Sequence, residues 1–228
     1  IDTCVESQDF YKVKMAARLL VGQLYKDVFG KFGTPDLKSF YKRMVKDSLW
    51  EDMKYSDEDL DYLNKHINHS KDLDYSYTTI RQMIDKYLIH NKITKEIYET
   101  PQFVFMGVAM NTMKDDTENK LERIVEWYNY RSDLKYNMPT PVANAFRTPF
   151  KSYASCCIFK TDDTADSIEA GQNIAYTFTT AQAGIGGYVD VRSAGDPVNK
   201  GRVEHTGKLP YFKMFDTTVR SSKQGNRS

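Results

Sequence analysis

The chain has 228 residues, enough to bury a core, and its composition excludes several classes of protein. Hydrophobic residues make up 40% of it and aromatic residues 13%, which argues against a disordered chain. Lys and Arg total 32 against 31 for Asp and Glu, so the charge balance predicts neither nucleic acid nor a membrane surface as a partner. No apolar run reaches the ~20 residues of a membrane span. Three cysteines are too few for a disulfide framework, and we expect a cytoplasmic protein.

Residues 1–138 predict a helical domain. Thr34-Pro35-Asp36 is a helix start, with Thr34 as the N-cap and proline in the first turn. Ser56 precedes three acidic residues and opens another helix in the same way. Residues 79–89 and 118–130 carry apolar side chains at helical spacing. Residues 103–110 are apolar on all sides, which indicates a helix buried at the centre of this domain.

Residues 139–228 predict an α/β domain. Pro139, Pro141 and Pro149 interrupt helices at its start. Short apolar runs at 152–159 and 184–191 read as strands on either side of a helix at 163–182, and this order predicts a crossover unit with parallel strands. A last helix is expected over residues 210–222.

Two histidines give a weak signal of a metal site, and a glycine run gives a weak signal of a nucleotide-binding loop. His66 and His69 lie three residues apart and could share a metal ion, but exposed helix surface is the better interpretation because no Cys or further His lies nearby. The glycines of segment 184–187 precede a strand instead of following one into a helix, so they fit no nucleotide-loop fingerprint. We expect no metal site in this chain.

Adjacent cysteines and three polar residues leave alternatives open. Cys156 and Cys157 are neighbours on a strand and point to opposite faces, so either both are small core residues or one faces a pocket and does redox chemistry. Asp163 at a helix start is either part of a cap or a ligand for sugar hydroxyls. Arg192 is either a surface charge or a phosphate clamp.

Several motifs, in order and in register, resemble one family. They are Ile-Tyr-Glu-Thr-Pro-Gln-Phe at 97–103, Met-Pro-Thr-Pro at 138–141, Arg-Thr-Pro at 147–149, Ala-Ser-Cys at 154–156, the segment 163–168, Ala-Gly-Ile-Gly at 183–186, Ala-Gly-Asp-Pro at 194–197, His-Thr-Gly at 205–207 and Lys-Gln-Gly at 223–225. Together they resemble the large, catalytic subunit of class I ribonucleotide reductases over essentially the whole chain. The resemblance implies a helical N-terminal domain followed by the first strands and helices of a ten-stranded α/β barrel.

The resemblance also implies roles by position. Cys156 is one of the two cysteines that reduce the substrate, which leaves Cys157 to the core. The remaining implied roles are substrate binding by Thr140, Ser155, Ala183 and Gly184, allosteric effector binding by Asp163, Thr164, Ala165, Arg192 and Asn199, and a specificity loop at Gln224, Gly225, Asn226 and Arg227. Asn199 stands where the family carries a second arginine, and Lys200 could replace that charge.

The resemblance further implies the ligands and the partner proteins of the chain. The effector is a deoxynucleoside triphosphate or ATP, no cofactor sits in this chain, and a di-metal radical centre belongs to a small partner subunit. The other expected partners are a C-terminal remainder of the large subunit, a second copy through the specificity-site helices, and thioredoxin or glutaredoxin as reductant. The radical cysteine, the partner of Cys156 and the ATP-sensing domain are absent from the sequence, so we expect a fragment that is active only when completed.

Two rival interpretations stay open on the sequence. The chain could be a regulatory module that binds a nucleotide effector without doing chemistry, or an unrelated helical protein that matches the motifs by chance.

Overall fold

A computed structural model describes residues 1–7, 9–30, 33–91, 93–151, 153–181 and 183–221. These residues form two compact units, Ile1–Lys151 and Ser152–Ser228. We call them the helical unit and the α/β unit. In the residues that the structure describes, no helix combines the length and the apolar character needed to cross a membrane.

The helical unit contains eight α-helices in its described residues. They are α1 (Asp2–Glu6), α2 (Phe10–Phe29), α3 (Leu37–Lys46), α4 (Asp57–Asn64), α5 (Tyr77–Gln82), α6 (Pro101–Thr112), α7 (Lys120–Ser132) and α8 (Thr140–Ala145). A 3₁₀ turn at His69–Asp74 precedes α5, and a π-helical turn at Met83–Tyr87 follows it. The helix expected over residues 79–89 is therefore two short elements, because the chain widens into the π turn after Gln82.

The helix starts are confirmed in one case and displaced in another. Ser56 caps α4, and its side chain forms a reciprocal capping box with Asp59. The expectation for Thr34 is wrong, because Asp36 is the N-cap of α3 and its carboxylate accepts the backbone N–H of Ser39 at 2.8 Å. The prolines at 139 and 141 do not prevent helix α8, because Pro139 is its N-cap and Pro141 lies in its first turn, where no hydrogen bond is lost.

Helix α6 is the centre of the helical unit, as its apolar sequence predicts. Every residue from Pro101 to Asn111 is buried, so this helix is surrounded by the others. The ring of Phe103 stacks on Phe40 of α3 at 3.9 Å between centroids. Trp50 is only 1% exposed and packs against the same layer.

A fully buried ion pair ties the end of the helical unit to its core. Glu99 and Arg147 are both 0% exposed, and the guanidinium of Arg147 binds the carboxylate through Nε at 3.1 Å and through Nη2. Trp50 Nε1 donates to the same carboxylate at 3.0 Å. Since Arg147 also donates to the backbone carbonyl of Tyr87 at 3.0 Å, the segment around α8 belongs to the helical unit. The compact units therefore divide after Lys151, later than the change in sequence character after residue 138.

The α/β unit begins with two parallel strands joined by a helix, as predicted. Its elements are β1 (Cys156–Thr161), α9 (Ala165–Thr180), β2 (Gly184–Val189), β3 (Pro197–Val198), β4 (Val203–Glu204) and α10 (Leu209–Arg220). β1 pairs with β2 in parallel, with Cys156 opposite Gly184 and Thr161 opposite Val189. β3 and β4 form a small antiparallel hairpin. A helical unit followed by the start of an α/β unit is confirmed, whereas the ten-stranded count stays a prediction.

A glycine lets α9 lie directly on β1. A Cβ at Gly171 would lie 2.4 Å from Thr161 Cγ2 and 3.1 Å from the ring of Phe159, closer than side chains approach one another. Phe159, Ala175, Val189, Val191 and Phe215 form the small core of this unit. Phe159 and Val189 place this core at the carboxyl-terminal halves of β1 and β2, close in sequence to the predicted effector residues Asp163 and Arg192.

Candidate functional site

Four of the predicted substrate and redox residues meet at the start of β1 and β2. Ser155 precedes β1, and its carbonyl accepts the backbone N–H of Gly184 at 2.9 Å. Cys156 is the strand partner of Gly184. Ala183 is 1% exposed beside them, and its N–H donates to the carbonyl of Phe178 at 2.9 Å. The crossover therefore brings two motifs that are distant in sequence to the same end of the sheet, where both strands start.

The two neighbouring cysteines face opposite sides of the sheet, as strand alternation predicts. Cys156 is exposed, on the face that carries Ile158 and, on β2, Gly186. Ile158 is 85% exposed, so this face is uncovered in the residues that the structure describes. Cys157 lies on the other face with Phe159, where α9 packs. It is half-buried and not deep in the core, because it lies at the strand end, before the main contacts of α9.

Thr140, the remaining predicted substrate contact, lies in the helical unit. It is the first residue of α8 and is exposed. Pro139 caps this helix without a side-chain hydrogen bond. The role of Thr140 stays a prediction.

Two of the predicted effector residues form an ion pair. Arg192 Nε donates to Asp163 Oδ2 at 2.5 Å, and both side chains are about one-third exposed, at 35% and 32%. The hydrogen bond from Arg192, followed by its positive charge, holds the pKa of Asp163 below its usual value, although partial desolvation opposes this. Arg192 Nη1 donates to the carbonyl of Pro197 at 3.1 Å, which connects the pair to the β3–β4 hairpin.

The N-terminus of α9 lies beside this ion pair. Thr164 is its N-cap and accepts the backbone N–H of Ser167 at 3.2 Å, and Ala165 is the first helical residue. Thr164 and Ala165 are exposed. A helix of this length carries partial positive charge at its start, which favours an anionic ligand. The helix start and Arg192 therefore supply positive charge on either side of one carboxylate.

Asn199 lies at the tip of the β3–β4 hairpin and is exposed. Its φ of 50° and that of Lys200, 58°, place both in the left-handed region, which is typical of a tight turn. The hairpin therefore presents both side chains to solvent. The predicted specificity loop, Gln224, Gly225, Asn226 and Arg227, lies outside the described residues.

The two histidines of the weak metal signal have different surroundings in the structure. In the described residues no group of three or more His, Cys, Asp or Glu side chains is arranged to hold a metal ion. His66 is exposed, but the expectation of exposed surface is wrong for His69. The His69 ring packs against Phe103 at 4.7 Å between centroids, and burial lowers its pKa to about 4.

Sequence reasoning missed a buried polar network in the helical unit. Asp72 is fully buried and accepts hydrogen bonds from Tyr25 Oη and Gln102 Nε2, each at 2.8 Å. Gln102 Oε1 in turn accepts from the hydroxyls of Tyr128 and Ser132, at 2.5 and 2.8 Å. Asp72 lies in a polar stretch of the sequence, which gives no signal of burial. Gln102 could have been noticed as the one long polar side chain in the first turns of an apolar helix.

Two family models match the chain. The model described as ribonucleotide reductase, all-alpha domain, matches residues 73–151, and the model described as ribonucleotide reductase, barrel domain, matches residues 154–228. Together the two matches span most of the chain, and their boundary coincides with the division between the helical unit and the α/β unit. The chain belongs to the ribonucleotide reductase family.

Curated relatives give the same result in more detail. The chain is 34% identical over 218 residues to ribonucleoside-diphosphate reductase 1 subunit alpha of Escherichia coli K12, with 92% of this chain and 28% of that protein covered. The subunit alpha of Buchnera aphidicola subsp. Baizongia pistaciae is 34% identical over 216 residues, with the same coverage. The subunit alpha of Enterobacteria phage T4 is 32% identical over 225 residues, covering 97% of this chain and 30% of the phage protein. The chain thus spans less than a third of the length of these relatives.

Proposed function

We propose that this chain is part of the large subunit of a class I ribonucleoside-diphosphate reductase, which converts ribonucleotides to deoxyribonucleotides. The observation that carries the proposal is the position of Cys156. Its thiol is exposed at the open end of a parallel strand pair, next to Ser155 and the Ala183–Gly184 backbone. The names of the curated relatives support the same reaction.

The proposed chemistry needs a dithiol. Reduction at the ribose 2′ carbon replaces a C–O bond with a C–H bond, and the hydroxyl leaves as water. Two thiols supply the two electrons and two protons and become a disulfide, which thioredoxin or glutaredoxin then reduces. Cys156 is one thiol; its partner and the radical cysteine come from further reductase sequence, in the same polypeptide or in a second one. A small subunit with a di-metal radical centre starts the radical chemistry.

The polar residues around Cys156 are proposed to hold the substrate. Ser155 offers a hydroxyl, and the backbone of Ala183 and Gly184 lines the ribose. Gly184 has no side chain, so a sugar can approach its backbone closely. Thr140 is proposed to contact the diphosphate. Further strands of the barrel are expected to pair at the edges of this two-stranded sheet, and the face that carries Cys156 and Ile158 is proposed to line the barrel interior.

The ion pair of Asp163 with Arg192 is proposed as the core of an effector site. A deoxynucleoside triphosphate or ATP would place its ribose hydroxyl on the Asp163 carboxylate and its phosphates at Arg192 and the start of α9, near Thr164 and Ala165. Asn199, with Lys200 beside it, is proposed to approach the phosphates from the hairpin. The residues 224–227 that follow α10 are proposed as the specificity loop.

A second copy of the chain is proposed to pack on α9 and α10. Tyr176 on α9 and Phe212 on α10 are each 50% exposed, and Leu209 is 65% exposed. A groove of about 770 Å³ runs between these helices, lined by Gln172, Tyr176, Met214 and Thr217 among others. Exposed aromatic side chains along a helix pair are typical of an interface.

Serine replacements of the two cysteines test the redox assignment. In the assembled reductase, Cys156→Ser should abolish turnover with thioredoxin as reductant, because a single thiol cannot supply both electrons. Cys157→Ser is the matched control, one residue away on the opposite face, and should keep most of the activity. Equal activities of the two variants would contradict the proposed role of Cys156.

A further inference from the structure

His205 joins two parts of the α/β unit through its backbone and its ring. Its N–H donates to the carbonyl of Asp196 and its carbonyl accepts the N–H of Gly195, both at 2.9 Å. These bonds hold the end of β4 against the turn that follows Arg192. The half-buried ring points away from the hairpin and contacts Tyr211 on α10.

The hydrogen bonds of the ring define its tautomer. His205 Nδ1 receives the backbone N–H of Gly207 at 3.0 Å, and a backbone N–H can only donate. Nδ1 is therefore the acceptor, and the ring proton lies on Nε2. Nε2 can then donate to the hydroxyl of Tyr211, 3.3 Å away on α10. The two rings are stacked, with 5.6 Å between centroids and 4° between planes.

The turn at His205 fits closely against the segment after Arg192. Gly207 has a φ of 82°, and a Cβ there would lie 3.0 Å from the Cβ of Ala194. Ser193 N–H donates to Asp196 Oδ2 at 2.7 Å, which closes the turn. Arg192 itself is held by the carbonyl of Pro197 on β3. The position of its guanidinium thus depends on the hairpin, and the hairpin depends on His205.

We propose that His205 is a positioning residue, which fixes Arg192 for an anionic nucleotide effector and links that site to α10 through the Tyr211 ring. The inference rests on the proposed effector site. His205 touches neither substrate nor effector; it acts through the hairpin on one side and through α10 on the other. The same contacts connect the effector site with α10, the helix that precedes the proposed specificity loop in the sequence.

Two variants of His205 separate positioning from general stability. His205→Phe keeps an aromatic ring for the stack but loses both hydrogen bonds of the imidazole. His205→Asn keeps a short acceptor for the N–H of Gly207. Each is assayed in the reductase assembled from this chain, the remainder of the large subunit and a small subunit, with CDP as substrate and ATP or dATP as effector.

We expect H205F to raise the effector concentration for half-maximal stimulation roughly tenfold, the size expected for two lost hydrogen bonds. The unstimulated activity of H205F and its KM for CDP should match those of the wild type. Loss of folded protein would instead lower the activity with and without effector. H205N should restore the response to within about threefold of the wild type.

An unshifted effector response in H205F would overturn the inference. If H205F does not fold, Tyr211→Phe takes its place: it keeps the ring, removes only the hydroxyl, and should shift the response about threefold, whereas no shift would refute the link to α10. A wild-type assembly that reduces CDP but responds to no nucleoside triphosphate would instead refute the proposed effector site.

Discussion

Asp72 offers the sharpest prediction for the helical unit, because it is a fully buried carboxyl group without a cationic partner among the residues that the structure describes around it. Burial raises its pKa from 3.8 to about 7, although the hydrogen bonds from Gln102 and Tyr25 oppose the shift. We expect Asp72→Asn to fold in the same way. The amide oxygen can accept from Gln102, and the amide nitrogen can donate to Tyr25 Oη, which then donates to the carbonyl of His69 at 3.3 Å.

The sign and size of the effect follow from proton linkage. The folded chain holds the Asp72 proton up to about pH 7, whereas the unfolded chain releases it near pH 3.8, so this group lowers the stability as pH rises between those values. The shift of about three units corresponds to about 4 kcal/mol. Above pH 7 Asp72 is ionised in both the folded and the unfolded state, so it lowers the stability no further.

His69 has the opposite effect in almost the same range. Its pKa is lowered from 6.5 to about 4, so the unfolded chain binds a proton there that the folded chain does not. Stability from His69 is therefore lost as pH falls from 6.5 toward 4. The two contributions partly cancel in the wild type, and the difference between wild type and D72N isolates Asp72.

Urea unfolding between pH 4.5 and 8, followed by tryptophan fluorescence, measures this difference. Trp50 and Trp127 are the only tryptophans and both lie in the helical unit, so the signal reports that unit. The stability of D72N relative to wild type should rise by about 1.4 kcal/mol per pH unit up to pH 7 and then level off. Asp74→Asn, an exposed neighbour, is the control and should show no such trend. A relative stability of D72N that does not change with pH would refute the reasoning.

Three further predictions concern the buried ion pair, the α9–β1 contact and the effector site. Glu99→Gln leaves Arg147 charged and buried, so it should lower the free energy of unfolding by about 3–5 kcal/mol in the same fluorescence assay. Asp61→Asn is the control: it breaks the exposed pair with Lys38 and should cost less than about 1 kcal/mol. Gly171→Ala should destabilise the α/β unit by about 1–3 kcal/mol, although alanine has the better helix propensity, and amide exchange in α9 should become faster. Ala170→Ser, at an exposed position of the same helix, should not change the exchange rates. Arg192→Lys should weaken effector binding about tenfold by calorimetry on the assembled reductase, because lysine cannot bridge Asp163, Pro197 and a phosphate together; unchanged affinity would remove Arg192 from the site.

The sequence predicted those parts of the fold that local patterns determine. The all-apolar segment became the buried helix α6, and strand alternation correctly separated the faces of Cys156 and Cys157. The order of strand, helix and strand predicted the parallel pair that places Ser155 beside Gly184. In each case the information lies in a local pattern or in the order of such patterns along the chain.

Contacts between distant residues could not be read in this way. Glu99 and Arg147 are 48 residues apart and pair only after the helices have packed, although each lies in a motif that carried the family resemblance. Within those motifs, Glu99 and Arg147 therefore take part in the packing of the helical unit. The cap of α3 was misplaced because Thr34 and Asp36 both carry suitable acceptors, and only tertiary structure decides between them. His205 belongs to one of the motifs of the resemblance, but its contact with the Tyr211 ring on α10 could not be read from the local sequence.

The central claim is that this chain contributes half of a reducing dithiol to a ribonucleotide reductase. Mixing the chain with the remainder of a large subunit, a radical-bearing small subunit, thioredoxin and CDP, and measuring dCDP, tests it most directly. We predict dCDP formation that requires this chain and is lost with Cys156→Ser. No dCDP from the complete mixture, with every component folded, would contradict the account.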